Sequence, residues 1–215
     1  MCTLIADWNH GLLLGMNRDE SFGRRHTDYF DQDLFYSVDP KYKGTWLGLS
    51  NHTGEIAALL NRHEPHHGTQ SRGKIVPHVL RYGSLPEDLS VFSPFTLARF
   101  QGKDISVSEW NGVNLETTSS SFPVILTSSR YGVTEQKKQL LQSYVPGQID
   151  QRSLQELLRS HYPEKGVFSV CKHGQQSESL SSMVIYQRGG NAKIYDCLGS
   201  PCQTSYREIK NITYK

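Results

Sequence analysis

The sequence predicts an α+β fold in which antiparallel sheets are covered by helices. Short apolar runs of strand length lie near both ends of the chain, and segments with helical apolar spacing lie between them. This order favours antiparallel sheets over a parallel sheet, in which strands and helices alternate. The chain has 215 residues, a length that suits one domain with a substantial core, and 10% of them are aromatic. We assign that domain to residues 1–215.

Each element is predicted from spacing and from the residues at its ends. Turn-forming residues join neighbouring apolar runs into hairpins, and Gly83 follows a helical pattern that tolerates Pro77. In the first half the elements are a hairpin of residues 3–6 with 11–16, a hairpin of 44–50 with 55–61, helices over 71–82 and 95–100, and strands over 105–110 and 122–127. In the second half they are helices over 134–144 and 152–161, a strand over 167–171, and a hairpin of 182–187 with 192–197.

Composition excludes several classes of function. A net charge of +2 provides no field strong enough to gather nucleic acid or an anionic membrane surface. No apolar run has the length of a membrane span, and the apolar residues 12–14 lack a basic leader. We therefore expect a cytoplasmic protein with a small-molecule partner and no nucleic-acid or integral-membrane partner, and we leave its oligomeric state open.

One of the four cysteines differs from the others. The set lacks a CxxC pair and the spacing of a disulfide scaffold, so we expect reduced thiols. Cys2 follows the initiator Met1, which methionine aminopeptidase removes when the next side chain is small. The processed chain would then carry a thiol and a free α-amine on one residue, so nucleophile and base would come from Cys2 alone.

A polar quartet, Asn17-Arg18-Asp19-Glu20, follows the second predicted strand directly. The first hairpin would bring this quartet back beside Cys2, where Arg18 would lower the pKa of the thiol. A solvated turn is the alternative interpretation of such a quartet. Its position relative to Cys2 favours a functional site.

Several motifs in this order resemble the NRDE family, which includes the transport-and-Golgi-organization proteins. They are Met1-Cys2-Thr3, the Asn17-Arg18-Asp19-Glu20 quartet, Gly44-Thr45-Trp46-Leu47-Gly48, Ala57-Ala58-Leu59-Leu60-Asn61 and Ser71-Arg72-Gly73. The resemblance implies an N-terminal-nucleophile hydrolase fold, a four-layer αββα sandwich of two stacked antiparallel sheets flanked by helices. More distantly, it implies a likeness to cysteine amidases that include bile salt hydrolases and penicillin V acylases.

The same resemblance implies catalytic roles for four residues. Cys2 would be the nucleophile, Arg18 the arginine beside it, Asn61 the donor to the oxyanion, and Asp19 the group that holds the α-amine. The sequence departs from the amidase pattern at Ser21, which stands where the amidases place an aspartate three residues after the arginine.

Three further residues are predicted to contact the substrate. Asn17 belongs to the quartet, Trp46 is an aromatic residue of the second hairpin, and Ser128 lies in the strand-end region 126–129, where the amidases have a second asparagine. Small basic patches at residues 24–26 and 41–43 would favour an anionic ligand such as an acyl-coenzyme A or a haem propionate.

Two functions follow from these residues. The first is a hydrolase or acyltransferase that acts on a linear amide or thioester, in the class of amidohydrolases for C–N bonds other than peptide bonds. The second is a non-catalytic carrier of haem or an acyl lipid. The sequence predicts no resident cofactor and no metal ligand set.

Other histidines and cysteines have simpler interpretations. His52 and the run at residues 63–67 could hold a metal or a haem iron, but Pro65 prevents helical spacing and a polar loop is favoured. In Cys171-Lys172-His173, strand alternation is expected to turn the thiol and the imidazole to opposite faces, which favours a structural cysteine. Cys197 and Cys202 flank a turn and would pair only under oxidation.

Overall fold

The computed structural model describes residues 2–24, 26–64, 66–128, 134–145 and 147–214. The chain divides into two compact units. The first contains Met1–Arg25 and Phe122–Thr213, and the second contains His26–Ser121 and Tyr214–Lys215. Each unit is built on one antiparallel sheet, so the predicted α+β class with two antiparallel sheets is confirmed. The assignment of residues 1–215 to a single domain stays a prediction.

Strands dominate the described residues. In chain order they are β1 (Cys2–Trp8), β2 (Leu12–Ser21), β3 (Thr27–Phe30), β4 (Leu34–Val38), β5 (Leu47–Ser50), β6 (Ile56–Asn61), β7 (Phe95–Gln101), β8 (Asp104–Trp110), β9 (Leu115–Ser119), β10 (Val124–Thr127), β11 (Ser177–Arg188), β12 (Asn191–Leu198) and β13 (Arg207–Thr213). The helices are α1 (Ile75–Tyr82), α2 (Thr134–Tyr144) and α3 (Gln151–Arg159).

The first unit has the strand order β10-β1-β2-β11-β12-β13. Helix α3 covers one face, because Leu154 and Leu158 pack on Ile5 and Leu13 of the central strands. Gly15 permits this close approach, since a Cβ atom there would lie 2.5 Å from a methyl carbon of Leu158. The helix begins at a capping box, in which Asp150 and Ser153 satisfy each other's backbone N–H groups.

The second unit has the strand order β3-β4-β5-β6-β7-β8-β9. Helix α1 buries Val76, Val79 and Leu80 against this sheet. It ends at Gly83, whose φ of 73° is the left-handed conformation that glycine adopts without strain.

Most predicted elements are confirmed. Both hairpins form, as do the helices over 71–82, 134–144 and 152–161 and the closing hairpin of β11 with β12. The helix predicted over 95–100 is wrong, because these residues form β7, an interior strand of the second sheet, and residues 167–171 are a loop and not a strand. Strands β3, β4, β9 and β13 were not predicted. None of the helices in the described part of the chain has the length and apolar content that crossing a lipid bilayer requires.

Candidate active site in the first unit

The first hairpin places Arg18 directly opposite Cys2. The register of β1 with β2 pairs these two residues, and directly opposed residues of an antiparallel pair point to the same face of the sheet. Both side chains are buried, with 7% of Cys2 and 4% of Arg18 exposed. A cationic guanidinium therefore shares a dry environment with the thiol.

The acidic end of the quartet holds Arg18 in place. Glu20 Oε2 lies 3.7 Å from Arg18 Nη2, and Glu20 Oε1 lies 2.6 Å from Arg24 Nη1. Arg18 Nη1 also donates a hydrogen bond to the carbonyl oxygen of Arg24 at 2.6 Å. Glu20, near the end of β2, and Arg24, in the segment that follows, thus fix the guanidinium. Arg25 of the same basic patch lies outside the described residues.

Ser128 binds the backbone of Cys2 at two points. The nitrogen of Cys2 donates to Ser128 Oγ at 2.9 Å, and the nitrogen of Ser128 donates to the carbonyl oxygen of Cys2 at 3.0 Å. In the full chain this nitrogen is the amide that joins Cys2 to Met1, and removal of Met1 converts it to the α-amine. Ser128 therefore holds the group that would act as base. Its predicted contact with substrate stays a prediction, and Ser129 lies outside the described residues.

Asp19 is buried and is engaged by a serine of the neighbouring strand. Its Oδ1 accepts a hydrogen bond of 2.6 Å from Ser179 Oγ, and that hydroxyl accepts one of 2.8 Å from the nitrogen of Lys172. The nitrogen of Cys2, which Asp19 was predicted to hold, has Ser128 as its partner. Asp19 instead affects the pKa of the Cys2 thiol, which its charge raises and a hydrogen bond from its backbone lowers.

Burial raises the pKa of the Cys2 thiol above its ordinary value. The positive charge of the chain terminus lowers this pKa, the carboxylate of Asp19 raises it, and Arg18 lowers it. Arg18 thus lowers the pKa of the thiol, as predicted, but burial raises that pKa by more. The thiol keeps its proton at neutral pH, so catalysis by Cys2 needs a base.

A buried lysine near Cys2 was not predicted. Lys137 of α2 is 2% exposed, and burial lowers its pKa while Asp19, Cys2 and Cys171 oppose that shift. The sequence contained a signal for it, because Lys137 lies four residues before the buried Leu141 and so shares its helical face.

Asn17 lies on the opposite face of β2 from Arg18, since neighbouring side chains of a strand alternate. It is fully buried, and its Nδ2 donates to the carbonyl oxygens of Leu158 at 2.8 Å and Val170 at 2.9 Å. These bonds tie the sheet to the end of α3. The predicted contact of Asn17 with substrate stays a prediction.

Asn61 and Trp46 belong to the second unit. Asn61 is the last residue of β6 and pairs with Phe95, while Trp46 is buried next to His26, with ring centroids 5.2 Å apart. Their predicted roles, in oxyanion binding for Asn61 and substrate binding for Trp46, stay predictions.

The candidate ligand histidines of the second unit, His52 and those at residues 63–67, include two with ordinary polar contacts. His52 Nε2 lies 2.8 Å from Asp33 Oδ1, and His66 Nε2 lies 2.9 Å from the carbonyl oxygen of Ser90. In the described part of the chain, which omits Pro65, neither these two nor His63 and His67 belong to a converging group of three or more metal-ligating side chains.

The family of the chain follows from its first two thirds. Residues 1–148 match the family model described as Transport and Golgi organisation 2, and no curated protein matches the chain. The matched residues include Cys2, the quartet and Ser128, as well as the motifs of the second hairpin. Because the match covers more than half of the sequence, the chain belongs to the transport and Golgi organisation 2 family.

Proposed function

We propose that this protein is an N-terminal cysteine hydrolase or acyltransferase acting on a linear amide or thioester. The observation that carries the proposal is the setting of Cys2, whose nitrogen is held by Ser128 and whose side chain faces Arg18 in a buried part of the sheet. A purely structural cysteine needs neither a hydroxyl on its own nitrogen nor a buried cation across the hairpin.

The proposed reaction begins with proton transfer within Cys2. Removal of Met1 frees the α-amine, and burial favours its neutral form, which can accept the proton of the thiol. The thiolate then attacks the substrate carbonyl carbon, and the C–N or C–S bond to the leaving group breaks. The protonated amine returns its proton to the leaving group, and the acyl group remains on Cys2 as a thioester.

Neighbouring residues act on the two groups of Cys2 that change charge in this reaction, the thiol and the α-amine. Arg18 stabilises the thiolate, and Ser128 orients the amine through the 2.9 Å hydrogen bond. Water or a second nucleophile then attacks the thioester, which distinguishes hydrolysis from acyl transfer.

The proposal is tested with p-nitrophenyl acetate, a generic acyl donor that releases a coloured product. Intact-mass measurement first establishes loss of Met1. We expect a burst of p-nitrophenolate and a stoichiometric acetyl adduct that peptide mapping places on Cys2. Cys2→Ala should abolish both, whereas Cys197→Ala, which removes another buried thiol of the same unit, should retain both.

Retained Met1, or acetylation that persists in Cys2→Ala, would contradict the enzymatic proposal and leave the carrier of haem or an acyl lipid as the surviving hypothesis. A positive result justifies a screen of acyl amides and acyl-coenzyme A thioesters for the natural substrate class.

A further inference from the structure

Four metal-ligating side chains converge in the first unit, beyond the residues that match the family model. His161, Cys171, His173 and Cys202 each offer one ligand atom, and these atoms all lie within 4.8 Å of one another. The sequence predicted that Cys171 and His173 point to opposite faces of a strand, but their side chains lie close together. The prediction was wrong because residues two positions apart share a face of a strand, and because this segment is a loop.

The hydrogen-bonding capacity of His173 does not explain this arrangement. Its Nε2 lies 3.1 Å from His161 Nε2, 3.4 Å from Cys202 Sγ and 3.7 Å from Cys171 Sγ. An imidazole nitrogen carries either one hydrogen or one lone pair, so it can make one good hydrogen bond. Three close polar neighbours at one nitrogen point to a shared cation at their centre.

The backbone brings these residues together without help from a ligand. Cys171 N donates to the carbonyl oxygen of Ser160 at 2.8 Å, and His173 N donates to that of Gly166 at 2.9 Å, so the loop doubles back and places His161 beside both. Cys202 lies in the turn after β12, which is closed by a hydrogen bond of 2.9 Å from Gln203 N to the carbonyl oxygen of Ser200.

We propose that His161, Cys171, His173 and Cys202 form a tetrahedral site for a zinc ion. Zinc with Zn–N distances of about 2.0–2.1 Å and Zn–S distances of about 2.3 Å places its ligand atoms about 3.3–3.8 Å apart. The three measured separations, 3.1, 3.4 and 3.7 Å, lie close to that range. A mixed thiolate and imidazole set also excludes magnesium and calcium, which prefer oxygen ligands.

The surroundings of the cluster fit a metal site. Glu178 Oε2 lies 4.0 Å from His173 Nδ1, the ring nitrogen turned away from the cluster, where metal-bound histidines commonly face a carboxylate. Binding releases two thiol protons to solvent, so the zinc and its two thiolates form a neutral centre.

The site is accessible to a metal ion. Cys171 is fully buried, but His161, His173 and Cys202 are partly exposed. An ion can therefore reach the cluster without unfolding of the sheet.

The test measures metal binding in the full chain, both wild type and with Cys2→Ala, which removes the thiol of the proposed active site. The protein is purified under reducing conditions without chelators, and its zinc content is measured by mass spectrometry. It is then stripped and titrated with Co²⁺. We expect one zinc per chain, and a cobalt spectrum with a thiolate charge-transfer band and the strong d–d bands of tetrahedral geometry.

Matched variants sharpen this test. Cys202→Ser and His161→Gln should weaken zinc binding by more than the ~10–100-fold that loss of an outer partner costs, and Glu178→Gln should fall within that range. Cys197→Ser and His66→Gln change the same residue types outside the cluster and should leave the affinity unchanged.

Three results would overturn the proposal: a chain that neither contains zinc nor takes it up, a cobalt spectrum without sulfur ligation, or a Cys171–Cys202 disulfide that persists in reduced, zinc-supplied protein. The wild-type cobalt titration does not depend on any variant folding. Because the Cys2→Ala chain has no nucleophile at position 2, zinc binding and the proposed enzymatic function fail or succeed separately.

Discussion

Cys2 and Cys171 are both buried thiols of the first unit, but they have different neighbours. Burial raises the pKa of Cys2, and it raises the pKa of Cys171 to about 12. Charged groups surround Cys2, with Arg18 and Asp19 acting on its thiol. Cys171 instead lies beside a second thiol and two imidazoles. Burial makes both thiols poor nucleophiles, so the neighbours decide which chemistry each can perform.

The difference between the two sites lies in what can remove the proton of the thiol. At Cys2 a base is built into the same residue, and Ser128 holds its nitrogen. At Cys171 no charged base is needed if a zinc ion displaces the proton. Variants that change one site and leave the other intact therefore test this comparison.

The largest effect after loss of Cys2 itself is expected from Ser128→Ala. Removal of the hydroxyl leaves the nitrogen of Cys2 without its acceptor, which costs about 1–3 kcal/mol and lowers the rate of Cys2 acetylation by roughly 5- to 150-fold. Burst kinetics with p-nitrophenyl acetate measure this rate, and zinc content should stay unchanged.

Thr127→Val provides the matched control for Ser128→Ala. Thr127 is the preceding residue, and its buried Oγ1 has no hydrogen-bond partner in the described part of the chain. Its near-isosteric replacement should preserve the acetylation rate. Equal losses in both variants would show that the effect is structural and that Ser128 does not position the amine.

A smaller effect of opposite sign is expected from Asp19→Asn. The carboxylate of Asp19 raises the pKa of Cys2, so its neutralisation lowers that pKa and increases the thiolate fraction at neutral pH. Alkylation of Cys2 by iodoacetamide should become severalfold faster, and its pH profile should move to lower pH.

Asp196→Asn is the control for Asp19→Asn. Asp196 is a buried carboxylate of the same sheet that raises the pKa of Cys197. Its neutralisation should leave the pH profile of Cys2 in place. A profile that does not move in Asp19→Asn would contradict the electrostatic role of this residue.

The fold was predictable where local signals agree, and it was not where tertiary burial overrides them. The first hairpin and α1 have clear turns and caps, so sequence alone located them. Residues 95–101 form β7, which pairs with strands on both sides and is buried on both faces, so the alternation that marks a strand is lost. The edge strands β3 and β9 are short, with four and five residues, and mostly exposed, so they show no alternation of buried and exposed positions.

The site follows the same pattern. The pairing of Cys2 with Arg18 was predictable because a hairpin register depends on neighbouring residues. Ser128 contacts Cys2 across 126 positions of sequence, and no local pattern encodes such a contact. The cluster around Cys171 was missed because its ligands come from a loop and a turn, where strand alternation does not apply.

The smallest effect on Cys2 is expected from Lys137→Met, which nevertheless changes stability. Burial lowers the pKa of Lys137, so the unfolded state binds more protons and the lysine costs folding energy below the folded-state pKa. Methionine removes this cost and should therefore raise the urea unfolding midpoint at pH 7. As pH rises towards the ordinary lysine pKa, urea unfolding midpoints of wild type and variant should converge.

The control is Lys138→Met, at the next residue of α2, which should leave both the midpoint and its pH dependence nearly unchanged. Destabilisation by Lys137→Met at neutral pH would instead show that charged neighbours compensate the buried charge of Lys137. Loss of this nearby cation is also expected to slow the alkylation of Cys2 modestly. In that case the slowing would identify Lys137 as a partner of Cys2 in the proposed site.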